Sequence, residues 1–84
     1  MNFEELKTYL ETQGYFQVVQ DPRTGKVYGL MRFIYTIGLV CEIDQQGNYE
    51  YRYCYGGLQD VLPAYRDWIA RGFSSEPIGY IKRK

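Results

Sequence analysis

From Val27 to Ile43 every odd-numbered position is apolar or glycine: Val27, Gly29, Met31, Phe33, Tyr35, Ile37, Leu39, Cys41 and Ile43. Nothing else in the chain constrains the fold as tightly. A period of two marks an extended strand with one face buried, and a loop is expected to break its phase. No proline and no Asn-Gly or Asp-Gly pair interrupts the run. The pattern predicts one long strand, bent or bulged at Gly29 or Gly38.

The flanks supply its partners. Asn2 followed by Glu5 is a capping box that opens a helix carrying Phe3, Leu6, Tyr9 and Leu10 on one side, and Gly14 closes it. Tyr15 to Gln20 reads as a strand, and Asp21-Pro22-Arg23-Thr24-Gly25 is turn chemistry that makes a hairpin with the long strand. After a second turn at Gln45-Gln46-Gly47-Asn48, Tyr49 to Tyr55 returns with Tyr49, Tyr51, Tyr53 and Tyr55 on one face and Glu50, Arg52 and Cys54 on the other. A register that sets Gln45 opposite Tyr49 matches Ile43 with Tyr51, Cys41 with Tyr53 and Glu42 with Arg52. It keeps Cys41 away from Cys54, so no disulfide is expected. Asp60 is placed to cap a second helix with Pro63 in its first turn and Val61, Tyr65, Trp68 and Ile69 as its buried stripe. Gly72 ends that helix, with Phe73 set to touch Trp68.

The expected fold is therefore α+β, in the order α-β-β-β-α, with a three-stranded antiparallel meander and both helices on one face. Residues 1–73 form a single domain, and residues 74–84 a C-terminal tail. At 84 residues there is room for one core only.

The segments Arg32-Phe33-Ile34-Tyr35-Thr36-Ile37-Gly38-Leu39-Val40, Arg52-Tyr53-Cys54-Tyr55 and Pro77-Ile78-Gly79-Tyr80-Ile81-Lys82 resemble small bacterial and phage proteins. Those proteins share an RF-(F/Y)T-GLV strand, an RYCY strand and a P-G-W-I-K end. This chain differs in having Tyr80 in place of the tryptophan and a longer stretch between Trp68 and Pro77. The resemblance spans roughly residues 30 to 84 and implies a phage or mobile-element origin. The family has no assigned activity, so no catalytic residue is carried over.

Enzyme chemistry finds few groups to use. The chain has no histidine and two isolated cysteines, Cys41 and Cys54, which argues against a zinc site and leaves a lone thiol without an acid–base partner. No glycine run has phosphate-binding spacing. No cofactor and no metal are expected, and the chain reads as a non-enzyme. The segment MNFEELKTYL is acidic and amphipathic, unlike a signal peptide, and no apolar run is long enough to span a membrane. A cytoplasmic location is the expectation.

Two surfaces remain as candidate sites. If both helices cover the tyrosine face, the other sheet face is left open, with Phe16, Val18, Tyr28, Leu30, Ile34 and Val40 around Arg32. An uncovered apolar patch of that kind marks an interface with a protein partner or a second copy. The alternative is a single-stranded nucleic-acid platform made by Tyr49, Tyr51, Tyr53 and Tyr55, helped by Arg52, Arg71, Lys82, Arg83 and Lys84. Ten basic residues balanced by ten acidic ones supply no general field for phosphates.

Overall fold

The computed structural model describes residues 2–81. Its elements run α1 (Phe3–Thr12), β1 (Tyr15–Gln20), β2 (Val27–Arg32), β3 (Ile37–Cys41), β4 (Tyr51–Tyr55) and α2 (Leu58–Ala70). The strands form a four-stranded antiparallel sheet in the order β1-β2-β3-β4. The class is α+β, as the sequence implied, but the meander has four strands rather than three.

The extra strand arises because the expected long strand folds in two. Phe33 donates its N–H to the Thr36 carbonyl at 2.8 Å, which leaves Ile34 and Tyr35 as the tip of a hairpin. A single strand from 27 to 43 would measure about 56 Å at ~3.3 Å per residue, whereas the longest dimension of the molecule is 36 Å. The alternation survives the turn because both faces of β2 and β3 are apolar. Across the pairing of Leu30 with Leu39 and Tyr28 with Cys41, even positions of β2 share a face with odd positions of β3.

A central pair apolar on both faces needs a cover on each. α2 lies on the face of Tyr28, Leu30, Ile37, Leu39, Cys41 and Tyr55, contributing Val61, Ala64, Tyr65 and Trp68. α1 lies on the opposite face, where Leu6 and Leu10 pack with Tyr15, Val18, Val27, Val40 and Ile43. The helices therefore sandwich the sheet instead of sharing one side.

Two residues in the left-handed region reassign side chains between these faces. Gln17, at φ 52°, bulges β1 between the pairs Phe16–Leu30 and Val19–Tyr28, and turns Val18 towards α1 while Phe16 and Val19 face α2. Glu42, at φ 57°, likewise sends Ile43 to the α1 side although Cys41 lies on the α2 side. Such bulges are how a strand changes the face it presents.

The capping box at Asn2 and Glu5 is present, with Asn2 Oδ1 accepting the Glu5 N–H at 2.8 Å. α2 begins earlier than Asp60: Gly57 is its N-cap, Asp60 lies in its first turn, and Pro63 sits inside the helix on its exposed side. Its end is a Schellman motif, in which the Phe73 N–H reaches the Trp68 carbonyl at 2.9 Å and the two rings meet edge to face at 5.2 Å. Ile69 is exposed, and Ala64 takes the buried position instead.

β3 and β4 pair two residues out of the expected register: Cys41 faces Tyr51, and Val40 faces Arg52. The connection is longer than a tight turn, because Asp44 closes a loop of its own by accepting the N–H groups of Gln46 and Asn48 at 2.9 Å. A shift of two preserves the faces, so Tyr51, Tyr53 and Tyr55 still share one. Residues 74–81 are part of the packed structure. The Ile81 N–H reaches the Cys54 carbonyl at 2.8 Å along the outer edge of β4, and Tyr55 donates its hydroxyl to the Ile78 carbonyl at 2.8 Å.

Candidate functional site

The open sheet face expected from sequence is closed. Tyr28 and Leu30 are buried beneath α2, with Phe16 packed beside them and Arg32 at the exposed end of the strand. Val18 and Val40 are buried on the other side, against α1. The seven residues thus belong to different faces, and Ile34 alone among the apolar ones stands clear of both cores.

The tyrosine ladder is also divided. Tyr55 is fully buried, and Tyr53 is half-buried between Trp68 at 6.0 Å and Tyr80 at 4.9 Å. Tyr49 lies on the α1 face and accepts a hydrogen bond from Arg52 Nη1 at 2.8 Å. Tyr51 is the exposed member. Arg71 is engaged by Asp67 at 2.9 Å and by the carbonyls of Ser74 and Glu76. Lys82, Arg83 and Lys84 lie outside the described residues. Among the described residues no run of coplanar rings is left for stacking bases.

Burial pushes the Tyr55 phenol up to about 12 and Tyr65 further, and it also raises Tyr28, Tyr51 and Tyr53. Both thiols are free and buried on opposite sides of the sheet, and desolvation raises Cys41 to about 12, far from the thiolate state that nucleophilic chemistry requires.

What stands out is the β2–β3 hairpin tip. Ile34 is 89% exposed and Tyr35 90% exposed, side by side, while the surrounding strands bury nearly everything apolar. Two-residue hairpin tips favour Gly, Asn and Asp because the tight primed turns need positive φ. Here the tip is Ile-Tyr, and neither residue adopts positive φ. The turn is therefore not of the primed type and makes no demand for glycine or asparagine, and what sets the tip apart is the exposure of two large apolar side chains at it.

The tip is held firmly from below. On the α1 side Phe33 covers Gly38, where a Cβ would come within 2.5 Å of the Phe33 ring, and the Arg52 guanidinium rests on that ring at 4.0 Å. On the α2 side Arg32 lies over Phe16 at 5.6 Å. Two hollows flank the tip. One of about 240 Å³ is lined by Phe33, Ile34, Tyr35, Thr36 and Arg52. The other, of about 350 Å³, runs from Arg32 and Tyr35 to Gly57 and Leu58 at the start of α2. Phe33 and Tyr35 went unnoticed in the sequence because both fall on the unbroken odd-numbered stripe and read as core.

Comparison with protein-family models, with curated proteins and with solved structures gives no match. Among the described residues there is no cluster of His, Cys, Asp and Glu able to hold a metal ion, and no helix long and apolar enough to cross a membrane.

Proposed function

We propose that this chain is a non-enzymatic protein-binding domain that engages its partner through the β2–β3 hairpin tip, with Ile34 and Tyr35 as anchors. The observation that carries this reading is their near-complete exposure at a tip whose base is packed by Phe33 over Gly38. Burying such side chains on a partner is worth about 1.5–3 kcal/mol each, and the Ile-Tyr pair with arginines around it has the aromatic-plus-Arg composition of interface hot spots. The contact moves from the sheet face to the sheet end, because both faces are filled. The resemblance to bacterial and phage proteins fits an accessory role, such as an inhibitor or adaptor in the cytoplasm.

A photo-crosslinking amino acid at position 35 tests this in the producing cell. The expected result is a discrete adduct that Ile34→Asp abolishes and that the same group placed at Glu11, on exposed α1 surface, does not give. An adduct of twice the chain mass identifies a second copy as the partner. Identical smears from positions 35 and 11 would reject the reading.

A further inference from the structure

The charge around the tip is one-sided. Arg32 and Arg52 flank Ile34 and Tyr35, one in each hollow, and among the described residues neither forms an ion pair. Each rests on an aromatic ring instead, which fixes its position without neutralising it. The described ion pairs lie elsewhere, at Asp21–Arg23, Lys26–Glu42 and Asp67–Arg71. At the end of the Arg32 hollow stands the N-terminus of α2, whose Gly57 cap offers no side chain to its free N–H groups. The dipole of this 13-residue helix adds positive potential there, and Asp60 in its first turn answers part of it. An exposed apolar pair between two unneutralised guanidiniums is complementary to an apolar side chain flanked by carboxylates.

Building on the protein-binding reading above, we infer that the hairpin tip recognises an acidic protein segment, one that seats an apolar side chain against Ile34 and Tyr35 and presents carboxylates to Arg32 and Arg52. Guanidiniums receive carboxylates through N–H donors; Arg52 commits Nη1 to the Tyr49 hydroxyl at 2.8 Å, a neutral partner that leaves its charge unanswered. A nucleic-acid strand would also meet arginines here, but the chain carries no net positive charge to support phosphate binding beyond these two residues.

Selection of a random peptide library on the immobilised full-length protein, followed by fluorescence anisotropy on the enriched peptides, tests the inference. The expected outcome is enrichment of sequences with Asp or Glu on both sides of an apolar or aromatic residue. Their binding should weaken on the order of tenfold in Arg32→Glu/Arg52→Glu, weaken at high salt, and be lost in Ile34→Asp. Thermal melts of each variant establish that the fold is retained, and Arg32→Gln/Arg52→Gln separates lost attraction from introduced repulsion. Enriched peptides that are neutral or basic, or whose binding ignores the arginine changes while still requiring Ile34, overturn the acidic-partner inference and leave the protein-binding reading standing. Peptides indifferent to Ile34 and Tyr35 overturn both. Tighter binding of labelled oligo-dT than of any enriched peptide, lost on the same arginine changes, would reassign the site to nucleic acid.

Discussion

Tyr65 donates its hydroxyl to the carbonyl of Gln17 at 2.8 Å, so a side chain of α2 reaches over β2 to pin the bulge in the edge strand β1. The bulge holds Gln17 at φ 52° and turns Val18 into the other core. One hydrogen bond thereby links the helix on one face to the packing of the other. It also blunts an edge strand that could otherwise pair with another chain. Replacing Tyr65 with Phe leaves that carbonyl without its partner, and a loss of about 1–2 kcal/mol is expected. Gln17→Gly relieves a left-handed conformation that costs a non-glycine residue about 1 kcal/mol, and should be neutral or stabilising. Denaturant unfolding of both variants decides it, since a marked loss from Gln17→Gly would mean the bulge is not formed.

Leu30 and Ile34 are four residues apart in a stretch that reads as one strand, yet Leu30 is completely buried and Ile34 is 89% exposed. Leu30→Glu should abolish folding. Truncating a buried leucine already costs about 2–5 kcal/mol, and the carboxylate adds its own desolvation. Ile34→Glu should change stability by no more than about 0.5 kcal/mol. Circular dichroism melts of the two single variants are sufficient. Equal tolerance at both positions would restore the open-face arrangement and remove the hairpin.

Alkaline pH should unfold the protein through its tyrosines. Tyr55 has a folded pKa pushed up to about 12 from an ordinary value of 10.0, chiefly by burial, and Tyr65 rises further for the same reason. A raised pKa means the folded state binds the proton more tightly. The stabilisation is complete below pH 10 and declines as pH climbs through the folded value. Stability should therefore stay flat from neutrality to about pH 9 with respect to these groups and fall steeply above pH 10. Phenolate absorbance followed alongside circular dichroism should show the buried Tyr55 and Tyr65 ionising only as the chain unfolds. Complete tyrosine ionisation with the native spectrum intact would contradict the burial.

Ending the chain at Phe73 should weaken it and make it associate. The truncation removes the Ile81 N–H from the Cys54 carbonyl, the Ile78 carbonyl from Tyr55, and the Ser75 carbonyl from the Trp68 indole N–H, where the last bond is 3.1 Å. Three such bonds amount to about 3 kcal/mol. The outer edge of β4 and the flank of Tyr53 are uncovered at the same time, inviting strand pairing between copies. Light scattering and a thermal melt measure both effects. A truncated chain as stable and monomeric as the parent would show that residues 74–81 contribute nothing to the fold.

Much of the local structure was legible. The capping box at Asn2 and Glu5, the Asp21 to Gly25 turn, the Gly72 and Phe73 ending of α2 and the shared face of Tyr51, Tyr53 and Tyr55 each depend on residues close in sequence. Of the candidate site, Arg32, Ile34 and Arg52 were singled out in the sequence, but the turn that brings them together with Tyr35 was not legible, because Phe33 and Tyr35 fall in phase with buried neighbours and no glycine or asparagine marks it. One clue lay in the contiguous apolar runs Val27 to Met31 and Ile37 to Cys41, which are two-sided rather than alternating.

The sequence by itself determined the α+β class, the Asn2–Glu5 capping box, the Asp21 to Gly25 turn and the Gly72–Phe73 ending of α2. Only the tertiary structure decided where the long alternation breaks, that α1 and α2 take opposite faces, and that Gln17 and Glu42 shift Val18 and Ile43 between them. The physical reason is that a period of two records alternation but not which side is buried. When both sides are buried, a turn between two strands leaves the pattern intact. The limit on strand length then comes from the size of the globule, which no local signal carries.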